Sequence, residues 1–242
     1  MATFSETGHA KNIANFERLI IFCEGYGSPY NPAKSKLTIG KLNDRLLDSK
    51  NKLDNVIYKN TLFNTAVNNR LIAFQTLTSL STRVINALEV SDASKETIKD
   101  AKGFNRKLQG KRAAPIKEVK LDADTPVSIS ASQQSYDQKV QHFAGLISVA
   151  ESEISYFPNE NDLTIEKLKQ VLKDLKEKNT AVAKAHTEVT NARIERDETL
   201  YNPEDGLVET ALEVKKYIKS VFTANSQQYK EVKGIAFRMV PN

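Results

Sequence analysis

The chain has no Trp, one Cys, two Met and three His in 242 residues, with only 9 Gly and 7 Pro. Each shortage closes off a class of protein. The single thiol, Cys23, forms no intramolecular disulfide, so stability does not depend on an oxidising compartment and a cytoplasmic setting is expected. No Gly-x-Gly-x-x-Gly, Gly-Lys-Ser or Gly-Lys-Thr string occurs, so the sequence holds no recognisable phosphate cradle. His9, His142 and His186 lie far apart, and none stands in a His-Glu-x-x-His or Cys-x-x-Cys context. Long apolar runs are missing too. The uncharged run between Arg70 and Arg83 contains Gln, Thr and Ser, and the opening MATFSETGHAKN lacks the cationic and apolar regions of a signal peptide. The sequence therefore predicts no catalytic residue, no cofactor, no metal site and no membrane span.

What is present points to helix. Apolar residues make up 40% of the chain and charged residues 27%, with Lys, Glu, Leu and Ala prominent. The dominant pattern is a repeat. LTIGKL at Leu37 recurs as LTIEKL at Leu163, and the match extends in both directions. Upstream, His9, Ile13, Phe16, Ile20 and Cys23 correspond to Tyr136, Val140, Phe143, Ile147 and Ala150 at a spacing of 127. Downstream at 126, Ile39, Leu42, Leu46, Ser49, Leu53, Val56, Asn60 and Phe63 correspond to Ile165, Leu168, Leu172, Leu175, Asn179, Val182, His186 and Val189. The steps of three and four predict one long heptad-patterned helix per copy, from about residue 38 to 74 and from about 164 to 201.

The expected fold is thus all-α, with two tandem pseudo-equivalent helical-bundle modules. Residues 1–112 form the first, 133–242 the second, and 113–132 a linker with a short hairpin around Asp122 to Pro126. Thr38 and Thr164 read as N-caps of the long helices, and Asn202-Pro203-Glu204-Asp205 as the start of a later helix. Ser91-Asp92 and Asn225-Ser226 read as caps of short final helices that end on left-handed Gly103 and Gly234.

The string RDETLYNPEDGLVETALEVKKYIKSVFTANSQQYKEVKGIAF, Arg196 to Phe237, resembles the C-terminal part of uncharacterised helical proteins common in Bacteroidetes-type bacteria. The resemblance implies a helical fold and a bacterial source; it carries over no functional residue.

Charge supplies the functional candidates. Residues 1–120 hold 20 Lys and Arg against 11 Asp and Glu, a balance of +9, while 121–242 hold 15 against 19, a balance of −4. Bases concentrate at Lys95, Lys99, Lys102, Arg106, Lys107, Lys111 and Arg112, with Phe104 as the one interleaved aromatic available to stack on a base. Acids concentrate at Glu151, Glu153, Glu160 and Asp162, and again around Glu204 and Asp205. Asn60 and His186 occupy matching seam positions, where a polar residue fixes register or, for His186, serves as a buried pH-responsive group. Tyr26, Tyr30, Tyr156 and Phe157 are expected to tuck against the bundle ends, or to anchor a partner if exposed. Cys23 lies on an apolar stripe, as a small buried hydrophobe does.

The expected function is a non-enzymatic structural or interaction protein whose partner is protein. In its strongest form it assembles head to tail with itself, basic half on acidic half. The alternatives are a nonspecific nucleic-acid binder using Lys95 to Lys120, and a membrane-active helical protein.

Overall fold

The structure, a computed structural model, describes residues 8–111 and 134–239. Arg112, the 113–132 linker and its expected hairpin lie outside the described residues. Among the described residues every regular element is helical: α1 (His9–Gly25), a 3₁₀ turn (Ser35–Leu37), α2 (Ile39–Gln75), α3 (Leu77–Glu89), α4 (Lys95–Leu108), α5 (Tyr136–Ser152), a second 3₁₀ turn (Asn161–Leu163), α6 (Ile165–Tyr201), α7 (Leu207–Phe222) and α8 (Gln227–Lys233). Helices α1 and α5 have 17 residues each and start 127 positions apart. Helices α2 and α6 have 37 each and start 126 apart.

The local signals that open and close these helices differ in places from the sequence expectation. Ser94, Ser135 and Ser226 cap α4, α5 and α8, each accepting from the backbone N–H three residues on. Ser91 instead donates to the Leu88 carbonyl at the end of α3. Asn202 accepts from the N–H groups of Glu204 and Asp205, but that turn stays outside the helix, and α7 begins at Leu207 behind Gly206. Gly103 lies inside α4, because the buried pair Ala101 and Leu108 carries the apolar stripe past it. The left-handed glycine after that helix is Gly110, at φ 69°, whereas Gly234 sits at φ −74°.

Two compact units form, and their composition differs from residues 1–112 and 133–242. One comprises Met1–Phe63 with Ala185–Asn242, the other Asn64–Lys184. A physical reason lies in helix length. A 37-residue helix is about 55 Å long and a 17-residue helix about 25 Å, so no single short helix covers a long one from end to end. Helices α1, α7 and α8 complete one core on parts of α2 and α6, and α3, α4 and α5 complete the other.

In the first unit, Ile13, Phe16, Leu19, Ile20 and Cys23 of α1 join Leu42 and Leu46 of α2, Leu200 of α6, Leu207, Ala211, Val214 and Ile218 of α7, and Val232 of α8 in one core. Here α2 and α6 run antiparallel: Lys52 pairs with Glu195 and Lys59 with Glu188, and Phe63 lies against His186. In the second unit, Val140, Phe143, Leu146, Ile147 and Ala150 of α5 join Leu168 and Leu175 of α6, Phe74 of α2, Leu77, Val84, Ile85 and Leu88 of α3, and Ala101 and Leu108 of α4. Phe16 and Phe143 are both fully buried, each contributing about 2–3 kcal/mol of apolar transfer. Tyr30 and Tyr156 tuck in as expected, donating to the carbonyls of Leu37 and Leu163 at 2.8 and 2.9 Å. Phe157 does not: it is 90% exposed.

The charge asymmetry of the sequence disappears in this partition. The first unit holds 17 Lys and Arg against 15 Asp and Glu, a balance of +2, and the second 18 against 15, a balance of +3. Bases of the first sequence half meet acids of the second inside each unit. Lys34 and Lys36 reach Glu213, Arg45 reaches Asp205, and Lys52 and Lys59 reach Glu195 and Glu188. Arg83 reaches Asp162 in the second unit.

Candidate nucleic-acid interface

Helix α4 is well specified at both ends, with Ser94 as cap, Glu96 in the first turn, and Arg106 and Lys107 in the last turn complementing the helix dipole. Burial of Ala101 and Leu108 fixes its rotation. Lys95, Lys99, Lys102 and Arg106, spaced by four, three and four, then share the opposite, exposed face. With Ile98, Asp100 and Gly103 they line an open groove of about 950 Å³. Lys102 pairs with Glu89 of α3, whereas Lys95, Lys99 and Arg106 make no ion pair among the described residues. Lys107 and Lys111 are exposed beside this stripe, the Lys107 ammonium 5.9 Å from the centre of the Phe104 ring. Phe104 itself is half-buried over Gly145, where a Cβ would come within 2.3 Å of the ring. Its ring packs on α5, and it lines an open hollow with Asp100, Arg106 and Lys107, so the aromatic stays beside the row of cations.

The acidic candidates are scattered and mostly occupied. Glu151 pairs with Lys169. Glu153 accepts from the Ser155 N–H and hydroxyl, which lowers its pKa below the usual carboxylate range. Asp162 is held by both terminal nitrogens of Arg83, and its pKa is likewise lowered. Asp205 pairs with Arg45, and the Glu204 carbonyl accepts from Lys36. Glu160 makes no ion pair among the described residues and lines a separate hollow.

Asn60 is half-buried, but His186 is exposed, its ring 5.6 Å from that of Phe63. The buried role expected for His186 is therefore corrected. The seam residues Leu168, Leu175, Val182 and Val189 stay buried, while the companion position moves from Leu172 and Asn179 to Ala185 and Ala192. An α-helix drifts by about 20° per heptad, and that drift carries His186 out of the interface.

The same seven-residue series leads to a group that sequence reasoning missed. Its next member is Arg196, 6% exposed, whose guanidinium pairs with Asp197 at 2.7 Å. His9 Nδ1 lies 2.8 Å from the Tyr201 hydroxyl and 4.0 Å from Asp197, and buried Asn12 donates to Tyr201 and to the Arg238 carbonyl. Burial, then the charge of Arg196, lowers the His9 pKa, with Asp197 opposing. Burial raises that of Tyr201. The signal was the seam spacing itself, which places a charge where the pattern calls for an apolar residue. His142, also buried, has its pKa lowered by burial and by nearby Lys107. Cys23 is 1% exposed, and burial pushes its thiol up to about 12, so it is a packed and unreactive group.

Among the described residues no three His, Cys, Asp or Glu side chains converge as a metal-binding set, and no helix is long and apolar enough to cross a membrane. No family model, curated protein or solved structure matches the chain.

Proposed function

We propose that this chain is a non-enzymatic binding protein, built from two tandem pseudo-equivalent helical modules, and that it holds nucleic acid through the outer face of α4. One observation carries the reading: Lys95, Lys99, Lys102 and Arg106 form a single exposed cationic stripe along a groove, and three of the four make no ion pair among the described residues. Phosphate contacts of this kind give affinity without sequence preference. Head-to-tail assembly of a basic half on an acidic half has weaker support, because those charges already meet inside the chain and the compact units carry nearly equal charge.

Gel retardation of a labelled DNA duplex tests the proposal. With about four phosphate contacts, the slope of log affinity against log salt is roughly −4. Lys99→Glu with Arg106→Glu weakens binding at least about tenfold, while Lys173→Glu with Lys176→Glu on α6 leaves most of it. Equal losses from both pairs, or no retardation at low salt, would sink the idea.

A further inference from the structure

The cationic groove of α4 has a neighbour of different character. Toward α5 opens a second hollow of about 430 Å³, lined by Asp100, Gly103, Phe104, Arg106, Lys107 and Val149. Asp100, Gly103 and Arg106 line the groove as well, so groove and hollow share a rim. The groove offers mainly cations, whereas the hollow sets an aromatic ring and Val149 between Arg106 and Lys107. An aromatic surface edged by cations suits a nucleobase and its flanking phosphates, the ring taking the base and the cations the backbone.

Gly103 keeps this hollow open. Glycine weakens a helix interior, yet a Cβ at this position would meet nothing within 4 Å, so packing does not demand it. The other unit shows the same place closed. Lys99, Asp100, Lys102 and Gly103 recur 131 positions on as Lys230, Glu231, Lys233 and Gly234, and Ile235 is then the counterpart of Phe104. Helix α8 ends before Gly234, Ile235 is 4% exposed, and its carbonyl accepts from the Lys215 ammonium. Helix α4 instead runs on through Gly103, and Phe104 stays half-buried with the Lys107 ammonium 5.9 Å from its ring centre.

We propose that this hollow seats one unstacked base of a single-stranded nucleic acid, on Phe104 and Val149, with the adjoining phosphates on Arg106 and Lys107. The assignment deepens the nucleic-acid reading of α4 and rests on it. A duplex keeps its bases paired and stacked, so it brings phosphates to the groove but no base to the hollow. Asp100 on the shared rim repels a phosphate and accepts from a base N–H, which turns the base rather than the backbone toward the ring. The Lys107 ammonium, displaced from the ring by the base, is left for a phosphate.

Fluorescence polarisation of the full chain with a labelled oligothymidylate of about 12 nucleotides, set against an abasic strand carrying the same number of phosphates, tests it. The oligothymidylate binds at least about fivefold more tightly than the abasic strand. Gly103→Leu fills the hollow and brings that ratio close to one. Leucine is a better helix former than glycine and enters open space, so this loss does not come from unfolding. Phe104→Leu keeps an apolar group over Gly145 but removes the ring face, and lowers the ratio at least about threefold. Lys95→Glu with Lys99→Glu, outside the hollow, weakens both strands and leaves the ratio in place. A ratio of one in the unaltered chain, or a ratio that survives Gly103→Leu, overturns the proposal. Equal binding of both strands leaves the cationic stripe standing alone, whereas no binding of either at low salt removes the stripe reading as well.

Discussion

Arg196 and Arg70 stand at the same place in the two long helices, 126 positions apart, and their guanidinium groups are satisfied in different ways. In the first unit Arg196 is almost wholly buried against Asp197, with His9, Asn12 and Tyr201 completing a titratable network. In the second unit Arg70 lies 4.0 Å over the centre of the Tyr136 ring and donates to Asn179, which in turn donates to Asp137. Tyr136 is the counterpart of His9. A position that must bury a guanidinium can satisfy it with a carboxylate or with a ring face. The first solution is strong when intact and costly when broken; the second is milder in both respects.

Breaking the two sites in parallel is the sharpest test of that contrast. Arg196→Met should cost about 3 kcal/mol, because Asp197 is left partly buried without its cation. Arg70→Met should cost about 1 kcal/mol, the size of a cation–π contact. Urea denaturation followed by circular dichroism measures both, and equal losses would erase the distinction. A second contrast concerns Gly145, which has Arg18 as its counterpart. Gly145→Ala drives a methyl into the Phe104 ring and should cost about 2 kcal/mol, and Phe104→Leu should relieve part of that loss in the double variant. Additive losses would show that the ring and the glycine do not depend on one another.

The smallest effect is a pH slope. Folding lowers the pKa of His9 and of His142, so the unfolded chain binds protons more readily than the folded one. Their contribution is fully present above the ordinary histidine value of about 6.5 and is lost as pH falls from there through the lowered values. Replacing each by its counterpart, His9→Tyr and His142→Asn, should flatten the fall in Tm between pH 7 and about pH 5. An unchanged profile would assign that slope to carboxylates instead.

The helices were legible from the sequence because a 3-and-4 alternation over 37 residues has few other physical meanings, and the long helices fall within a residue or so of their expected bounds. Which short helices cover which end was not legible. A repeat shows that two segments are alike, not whether each packs on itself or on its copy, and Leu42 accepts either arrangement equally well. The α4 stripe could be read from spacing alone. The packing of the Phe104 ring on α5 could not, since it depends on Gly145, 41 residues further along. Ser91 misled because serine serves helix ends of both kinds, and only geometry distinguishes a donor to Leu88 from an acceptor for an incoming helix.

The sharing of each long helix between two cores also sets an order in time. The unit from Asn64 to Lys184 is one uninterrupted stretch, so a ribosome has delivered every residue of its core before Ala185 is added. The other unit is split. Phe16, Leu19 and Ile20 emerge early, but Leu200, Leu207 and Val214, which bury them, arrive at the end of synthesis. Throughout that interval the earliest helix of the nascent chain has only the start of α2 to cover its apolar stripe, and the rest is the kind of surface that chaperones engage during translation.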